Sequence, residues 1–201
     1  MRGSVLREER RRQIMDAAKR VFAARGYHAT GVADIIEACG VARGTFYLYF
    51  ESKRAVFEAL LDEFLSLLTT KVHRVDETSG IEEIRSQLRA NVMGVLGAFA
   101  DNPELSRLVL NEAVGLDKGF DEKLAEFYDG LVDLIETSLT LGQQMGLVRQ
   151  LDTRVIAACI LGAVKEVVIR ILHGRVERIP RLDHIVNEVL NYHLRALLVQ
   201  P

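Results

Sequence analysis

The sequence predicts an all-α protein of about nine helices, because long uninterrupted segments repeat their apolar residues at the helical period of 3.6. The 201 residues include only three prolines, and no Gly/Pro-rich linker exceeds a few residues. A hydrophobic content of 49% beside 27% charged residues is ordinary for a globular protein and supplies ample material for a core. This length allows one large domain or two small ones.

The first helix is predicted over residues 7–25. Its apolar residues recur three and four apart, so they share one face, and Gly26 ends it. The inner stripe consists of Ile14, Ala17, Ala18, Val21 and Phe22.

Two short helices with a tight turn between them are predicted over residues 30–54. Thr30 is expected to cap the first through its hydroxyl, and Gly40 suits the left-handed residue at its end. The second helix covers about residues 42–50, where Phe46 and Phe50 lie four apart and are expected to face inward together. The apolar face of the first of these two helices consists of Val32, Ile35, Ile36 and Cys39.

This helix pair has the pattern of a helix-turn-helix, whose second helix enters the DNA major groove. Arginine reads guanine or holds phosphate, hydroxyls reach phosphate oxygens, and tyrosine packs on sugar or on the thymine methyl group. An ordinary helical hairpin with a solvated polar face is the alternative interpretation. The outward residues are Arg43, Thr45, Tyr47, Leu48 and Tyr49.

A fourth helix is predicted from Ser52, its possible cap, to about residue 75. The segment 76–80 (DETSG) is the clear hinge-like break after it. We therefore expect a DNA-binding domain at 1–52 and a second domain at 53–201, linked by the helix 53–75. The apolar stripe of this helix is Val56, Phe57, Leu60, Leu61, Phe64, Leu67 and Leu68.

Five further helices are predicted beyond the break. The first covers 81–100, and Pro103 opens a shorter one that reaches about residue 114. The next covers 119–145 and ends before Gly146. Asp152 caps a helix that reaches His173, and Pro180 opens the last, which runs to about 198.

Charge is unevenly distributed along the chain, whose formal net charge is −2. Residues 1–54 hold 11 Lys/Arg against 6 Asp/Glu, whereas residues 55–201 hold 15 against 22. A basic end that carries the helix-turn-helix favours DNA contact at that end alone.

Several functional classes are disfavoured by the sequence. No catalytic motif, phosphate-binding glycine loop or metal-spaced histidine pair occurs, so we expect no catalytic residues, no metal and no cofactor. Cys39 and Cys159 form no CxxC and are expected to be reduced core thiols. Charges interrupt the most apolar run, 155–172, and no signal segment opens the chain, so we expect a cytoplasmic protein without a membrane span.

The stretch GVARGTFYLYFESK resembles the signature of the tetracycline-repressor (TetR) family, and the resemblance covers about residues 8–60. Ala42 departs from the family pattern, which has a capping serine there, and Gly31 and Ala33 also differ from many members. The resemblance implies double-stranded DNA as partner, with base contact by Arg43. The implied DNA-binding residues are Thr30, Arg43, Gly44, Thr45, Tyr47, Leu48, Tyr49 and Lys53.

The resemblance also implies a homodimer on a palindromic operator, in which the last two helices of each chain form a four-helix bundle. An intramolecular core is the alternative for these helices. The interface residues expected are Ile160, Val164, Val168, Val186, Leu190, Leu194 and Leu197. A small effector, apolar or amphipathic, is implied among the middle helices, and its expected contacts are Asn91, Met93, Leu96, Phe99, Leu110, Asn111, Phe127, Tyr128, Leu131 and Lys165.

These expectations predict a ligand-responsive transcriptional regulator, most simply a repressor released from its operator by a small molecule. Two alternatives stay open: a DNA-binding regulator that a protein partner controls, and an enzyme or carrier whose helix-turn-helix is only structural. Neither the effector nor the operator can be identified from the sequence.

Overall fold

A computed structural model describes residues 2–76, 78–172 and 181–199. Within these residues the chain forms nine α-helices, and a π-helical turn, Leu108–Glu112, follows the sixth. The α-helices are α1 (Arg2–Arg25), α2 (Val32–Cys39), α3 (Arg43–Tyr47), α4 (Lys53–Thr69), α5 (Ile81–Asp101), α6 (Pro103–Arg107), α7 (Lys118–Gln144), α8 (Thr153–Leu172) and α9 (Leu182–Leu197). The predicted all-helical class is confirmed.

Local sequence signals set several helix ends as predicted. The Ser52 hydroxyl accepts a hydrogen bond from the Ala55 backbone N–H at 3.1 Å, and Asp152 does the same for Val155 at 3.0 Å. Pro103 is the first residue of α6, where a missing N–H costs nothing. His173 and Pro180, predicted to end α8 and to open α9, lie outside the described residues.

The chain divides into two compact units. The first, here called the head, comprises Met1–Ser66 and Asn102–Asp121, and the second, the body, comprises Leu67–Asp101 and Glu122–Pro201. The head thus contains α6 and the π-helical turn in addition to the N-terminal helices. The predicted domain boundary at residue 52 remains a prediction. The two units of the structure are defined by packing, so the head combines segments that are distant along the chain.

Phenylalanine rings fill the core of the head. Phe57 packs edge-on against Phe22 at 5.7 Å and against Phe120 at 5.3 Å between ring centroids. Edge-to-face contacts of this kind add stability beyond the area that they bury. The π-helical turn also reaches the end of α1, because the Glu112 carboxylate accepts from the Tyr27 backbone N–H at 3.3 Å. Five rings of the head are fully buried: Phe22, Phe46, Phe57, Phe64 and Phe120.

Aliphatic side chains dominate the body, where α5 and α9 run antiparallel. Arg89 on α5 pairs with Asp183 on α9 at 2.8 Å, and one turn away Arg85 donates to Asn191 at 2.7 Å. A smaller buried cluster joins α7, α8 and the end of α9 through Val132, Leu139, Ala157 and Leu197.

Two predictions about the helices and thiols are corrected by the structure. Helix α4 ends at Thr69, six residues before the predicted end, and residues 72–76 are not helical. Cys159 is exposed on α8 in the single chain, whereas Cys39 is buried as expected. Within the described residues, no helix combines the length and the apolarity that crossing a membrane requires.

Candidate nucleic-acid interface and ligand cavity

The angle between α2 and α3 is set by one glycine and two phenylalanines. Gly40 adopts a left-handed backbone with φ of 66°, which suits a residue without Cβ, and its N–H bonds the Ile36 carbonyl at 3.0 Å. Phe46 and Phe50 are both buried, with their ring centroids 6.3 Å apart, as predicted. The inner face of α3 is therefore anchored, and its other face is held towards solvent.

The outward face of α3 presents Arg43, Gly44, Tyr47 and Leu48, all of them exposed. The Arg43 guanidinium lies over the Tyr47 ring, 5.7 Å from its centroid, so the cation is held beside an aromatic surface. Leu48 is 75% exposed and follows Tyr47, which is 46% exposed, so this face carries apolar as well as polar surface. Hydrogen-bonding, aromatic and apolar groups together suit the edges of bases in a major groove.

Thr45 and Tyr49 are only half-buried, so part of each side chain remains accessible beside that face. Thr30 is different, because it is buried and its hydroxyl donates to the Gly26 carbonyl at 2.8 Å. The predicted cap by Thr30 is therefore wrong: Gly31 precedes α2, and the Asp34 carboxylate accepts from the Gly31 N–H at 2.7 Å. That hydrogen bond, with Arg25 nearby, lowers the pKa of Asp34.

Lys53 has a role that its sequence position did not indicate. Its ammonium donates to the carbonyls of Tyr27 at 2.8 Å, Thr30 at 2.7 Å and His28 at 3.3 Å. An ammonium has three N–H donors, so these bonds occupy all of them. The same group lies 4.5 Å from the centroid of the Tyr27 ring. In this arrangement Lys53 fastens the turn after α1 and has no donor left for a phosphate.

A cavity of about 480 Å³ lies inside the body, within the size range of small-molecule sites. Its walls come from residues 72–75, α5, α7, α8 and α9, and their side chains are overwhelmingly apolar. Lining residues from the four helices include Leu88, Val92, Leu134, Ile160, Val164 and Leu194. Such a cavity favours a ligand with a long apolar portion.

Of the effector contacts predicted from the sequence, Asn91 and Leu131 line this cavity. Leu96 is buried elsewhere, and the Lys165 ammonium lies over the Tyr128 ring at 4.5 Å, where burial raises the pKa of the tyrosine. The side chain of Asn111 lies outside those that the structure describes. The residues that do not line the cavity are Met93, Leu96, Phe99, Leu110, Phe127, Tyr128 and Lys165.

The predicted dimer-interface residues face the interior of their own chain. Val168 and Val186 are buried within it, and the other five line the cavity: Ile160, Val164, Leu190, Leu194 and Leu197. The apolar stripe of each helix was correctly identified, and its contact with a partner chain stays a prediction. The exposed residues of α8 include four small or apolar ones, Val155, Ala158, Cys159 and Gly162, beside charged ones, and Tyr192 on α9 is 72% exposed.

The wall formed by residues 72–75 was not predicted from the sequence. Val72 and Val75 were assigned to the fourth helix, and Arg74 to no site. A local signal was available only in part: the apolar stripe of α4 ends at Leu68, and polar residues become frequent after it.

A known family profile matches the N-terminal part of the chain. Residues 14–60, which include α2, α3 and the first part of α4, match the sequence profile described as bacterial regulatory proteins, tetR family. The fatty acid metabolism regulator protein of Bacillus subtilis is 28% identical over 158 residues, which span 78% of this chain and 80% of that protein.

Solved structures extend the similarity over nearly the whole chain. The fatty acid degradation regulator FadR from Bacillus halodurans has a TM-score of 0.72 and 27% identity, over 92% of this chain and 94% of that one. FadR from Bacillus subtilis, solved in complex with stearoyl-CoA, has a TM-score of 0.69 and 25% identity, over 90% and 96% of the two chains.

Proposed function

We propose, on the premise that the chain belongs to the tetR family of bacterial regulatory proteins, that it is a transcriptional repressor released from its operator by a long-chain acyl-CoA. Ligand-responsive transcription regulation is the function that the similar proteins share with it. The observation that carries the proposal is the apolar cavity of about 480 Å³ in a chain that also exposes a helix-turn-helix.

The operator is read, in this proposal, by the outward face of α3. Arg43 contacts a base edge, and Tyr47 and Leu48 contact sugar and thymine methyl groups, because those three side chains are exposed there. Arg43→Ala therefore relaxes base preference, with about 1–3 kcal/mol lost on the preferred operator and little on random duplex. Equal losses on the two duplexes, measured by fluorescence anisotropy at fixed salt, would exclude base reading by Arg43.

The effector class follows from the cavity and from two relatives. The Bacillus subtilis relative is named for fatty acid metabolism, and the structure of FadR from that organism contains stearoyl-CoA. Each methylene group that moves from water into an apolar wall contributes about 0.8 kcal/mol, so a long acyl chain supplies ample affinity. The cavity wall offers few polar groups that a small polar ligand would need.

A homodimer completes the proposal, because two-fold symmetry matches a palindromic operator. The partner surface is the outward side of α8 and α9, since their inward sides already line the cavity. Ala158→Glu places a charge on that surface and is expected to give monomers in sedimentation at micromolar concentration. Ala125→Glu, on the exposed side of α7, is the matched control. A dimer unaffected by Ala158→Glu would place the interface elsewhere.

The effector is tested with an operator selected from random duplexes. Palmitoyl-CoA is expected to raise the melting temperature and to release the operator, because it binds the DNA-free state better and the coupling is reciprocal. Val164→Phe narrows the cavity and should abolish both effects, whereas Ala125→Phe, on an exposed surface, should preserve them. Operator binding that is insensitive to acyl-CoA would favour control by a protein partner instead.

A further inference from the structure

A segment without helical structure forms one wall of the cavity. Helix α4 ends at Thr69, and the chain then runs without helical structure past the cavity, which Val72, His73, Arg74 and Val75 all line. We call residues 70–76 the strap. Its backbone N–H and C=O groups lack the bonds that a continued helix would have supplied, so other groups must satisfy them.

Side chains from α5 fasten the strap at two residues. The Asn91 carboxamide accepts from the His73 N–H at 3.0 Å and donates to the His73 carbonyl at 2.7 Å. Gln87, one turn earlier, accepts from the Asp76 N–H at 2.7 Å. Gly94 permits the close approach, because a Cβ at that position would lie 3.1 Å from the Lys71 carbonyl oxygen. Arg74 thus sits between two clamped residues, His73 and Asp76.

The two arginines that line the cavity have no carboxylate partner among the described residues. Arg74 has no ion pair or hydrogen bond to any described residue, and Arg85 bonds only the neutral amide of Asn191. By contrast, Arg89, one turn along α5 from Arg85, is neutralised by Asp183 and does not line the cavity. Glu82 is the one carboxylate among the described lining residues, so the fixed charges of the lining sum to a positive value.

The two cavity arginines approach the ligand space from opposite sides of α5. Successive helical residues are about 100° apart, so Gln87 and Asn91 lie on one flank of the helix and Arg85 and Arg89 on the other. The cavity-lining Leu88 and Val92 lie between these flanks. The strap therefore brings Arg74 to one side of the ligand space, and α5 brings Arg85 to the other.

We infer that Arg74 and Arg85 hold the anionic head of the ligand whose acyl chain fills the cavity, and that Asn91 positions Arg74 for this contact. This inference rests on the proposed acyl ligand. Guanidinium groups bind phosphate through paired, charge-assisted hydrogen bonds. A head with several phosphates can span two cations on opposite sides of the space, whereas the single carboxylate of a free fatty acid engages one.

The test uses three probes with the same twelve-carbon chain: lauroyl-CoA, laurate and dodecan-1-ol. Their affinities are measured by calorimetry on the full chain and on Arg74→Gln, Arg85→Gln and Asn91→Ala. Each arginine variant is expected to lose about tenfold or more in affinity for lauroyl-CoA, while its affinity for the neutral alcohol changes by less than about twofold. Asn91→Ala should also lower the affinity for lauroyl-CoA relative to that for dodecan-1-ol. A general loss of stability would not change this ratio.

Arg89→Gln is the matched control, since it removes an arginine from the same helix without touching the cavity lining. It is expected to leave the ratio of lauroyl-CoA to dodecan-1-ol affinity unchanged. An unchanged ratio in both Arg74→Gln and Arg85→Gln would overturn the head site and leave the acyl cavity intact. Laurate bound as tightly as lauroyl-CoA would refute the two-sided contact. A wild-type chain that binds none of these probes and does not bind palmitoyl-CoA would refute the proposed function as well.

Discussion

The head and the body use their apolar residues in opposite ways. In the head, fully buried phenylalanines pack ring against ring, and Phe57 alone contacts the rings of Phe22, Tyr27 and Phe120. In the body, aliphatic side chains such as Leu88, Val92 and Ile160 are only half-buried and surround a cavity. Helices of similar amphipathic pattern therefore produce a filled core in one unit and a hollow one in the other.

The difference matches what each unit has to do. A surface that reads bases must hold its side chains in one arrangement, and a close-packed interior provides that rigidity. A binding site needs space that a ligand can fill, and a wall of flexible aliphatic side chains provides it. The contrast can be sharpened by truncating one side chain in each unit.

The largest expected effect is from Phe57→Ala. It removes a fully buried ring at the centre of the head and should lower the free energy of unfolding by about 3–5 kcal/mol. Leu88→Ala in the cavity wall should cost only about 1 kcal/mol, because its side chain already borders empty space. Urea denaturation followed by circular dichroism measures both. Equal losses would show that the body is as tightly packed as the head.

Lys53→Met should have a smaller effect, about 1–2 kcal/mol of stability, because it keeps the aliphatic stem but leaves three carbonyls without their donor. Lys19→Met is the control, since Lys19 only pairs with Asp16 on the surface of α1 and should cost less than about 0.5 kcal/mol. The salt dependence of operator binding should keep its slope in Lys53→Met. A slope reduced by about one unit would instead place this ammonium on a phosphate.

The smallest effect concerns two carboxylates, one in each unit. Hydrogen bonds from Arg54 hold the pKa of Asp117 in the head below its ordinary value, and the Thr78 hydroxyl does the same for the pKa of Asp76 in the body. Both carboxylates therefore stabilise the fold above about pH 4, the ordinary aspartate value, and this contribution is lost as the pH falls through their lowered pKa values.

Asp117→Asn and Asp76→Asn should each flatten the fall of melting temperature between about pH 4 and pH 2. The same variants should differ least from the wild type at pH values where the wild-type carboxylate is already protonated. Thermal melts across this range check the expectation. A variant that melts in parallel with the wild type throughout would show that its carboxylate has the same pKa folded and unfolded.

Sequence reasoning succeeded where the interactions are local. Gly40 ends α2, Ser52 and Asp152 cap their helices, and Phe46 and Phe50 face inward, because each effect involves residues within about one helical turn. The signature between Gly40 and Lys53 also lies within residues 14–60, which match the tetR family profile.

Contacts between residues that are distant along the chain were not predicted from the sequence. Lys53 bonds carbonyls 23 to 26 residues away, and Asn91 bonds His73 across 18 residues. No periodicity encodes such pairs. Thr30 was likewise taken for a cap, because a hydroxyl before a helix has the same local pattern whether it bonds the helix ahead or the Gly26 carbonyl behind.

By itself, the sequence determined that the chain is helical, where most helices begin and end, and which face of each is apolar. Only the tertiary structure decided what each apolar face meets. Leu190, Leu194 and Leu197 carry the same pattern whether they face a partner, a solid core or a ligand space, and in this fold they line a cavity. The physical reason is that hydrophobic burial is non-directional: it rewards removal of a face from water and does not select the neighbour that covers it.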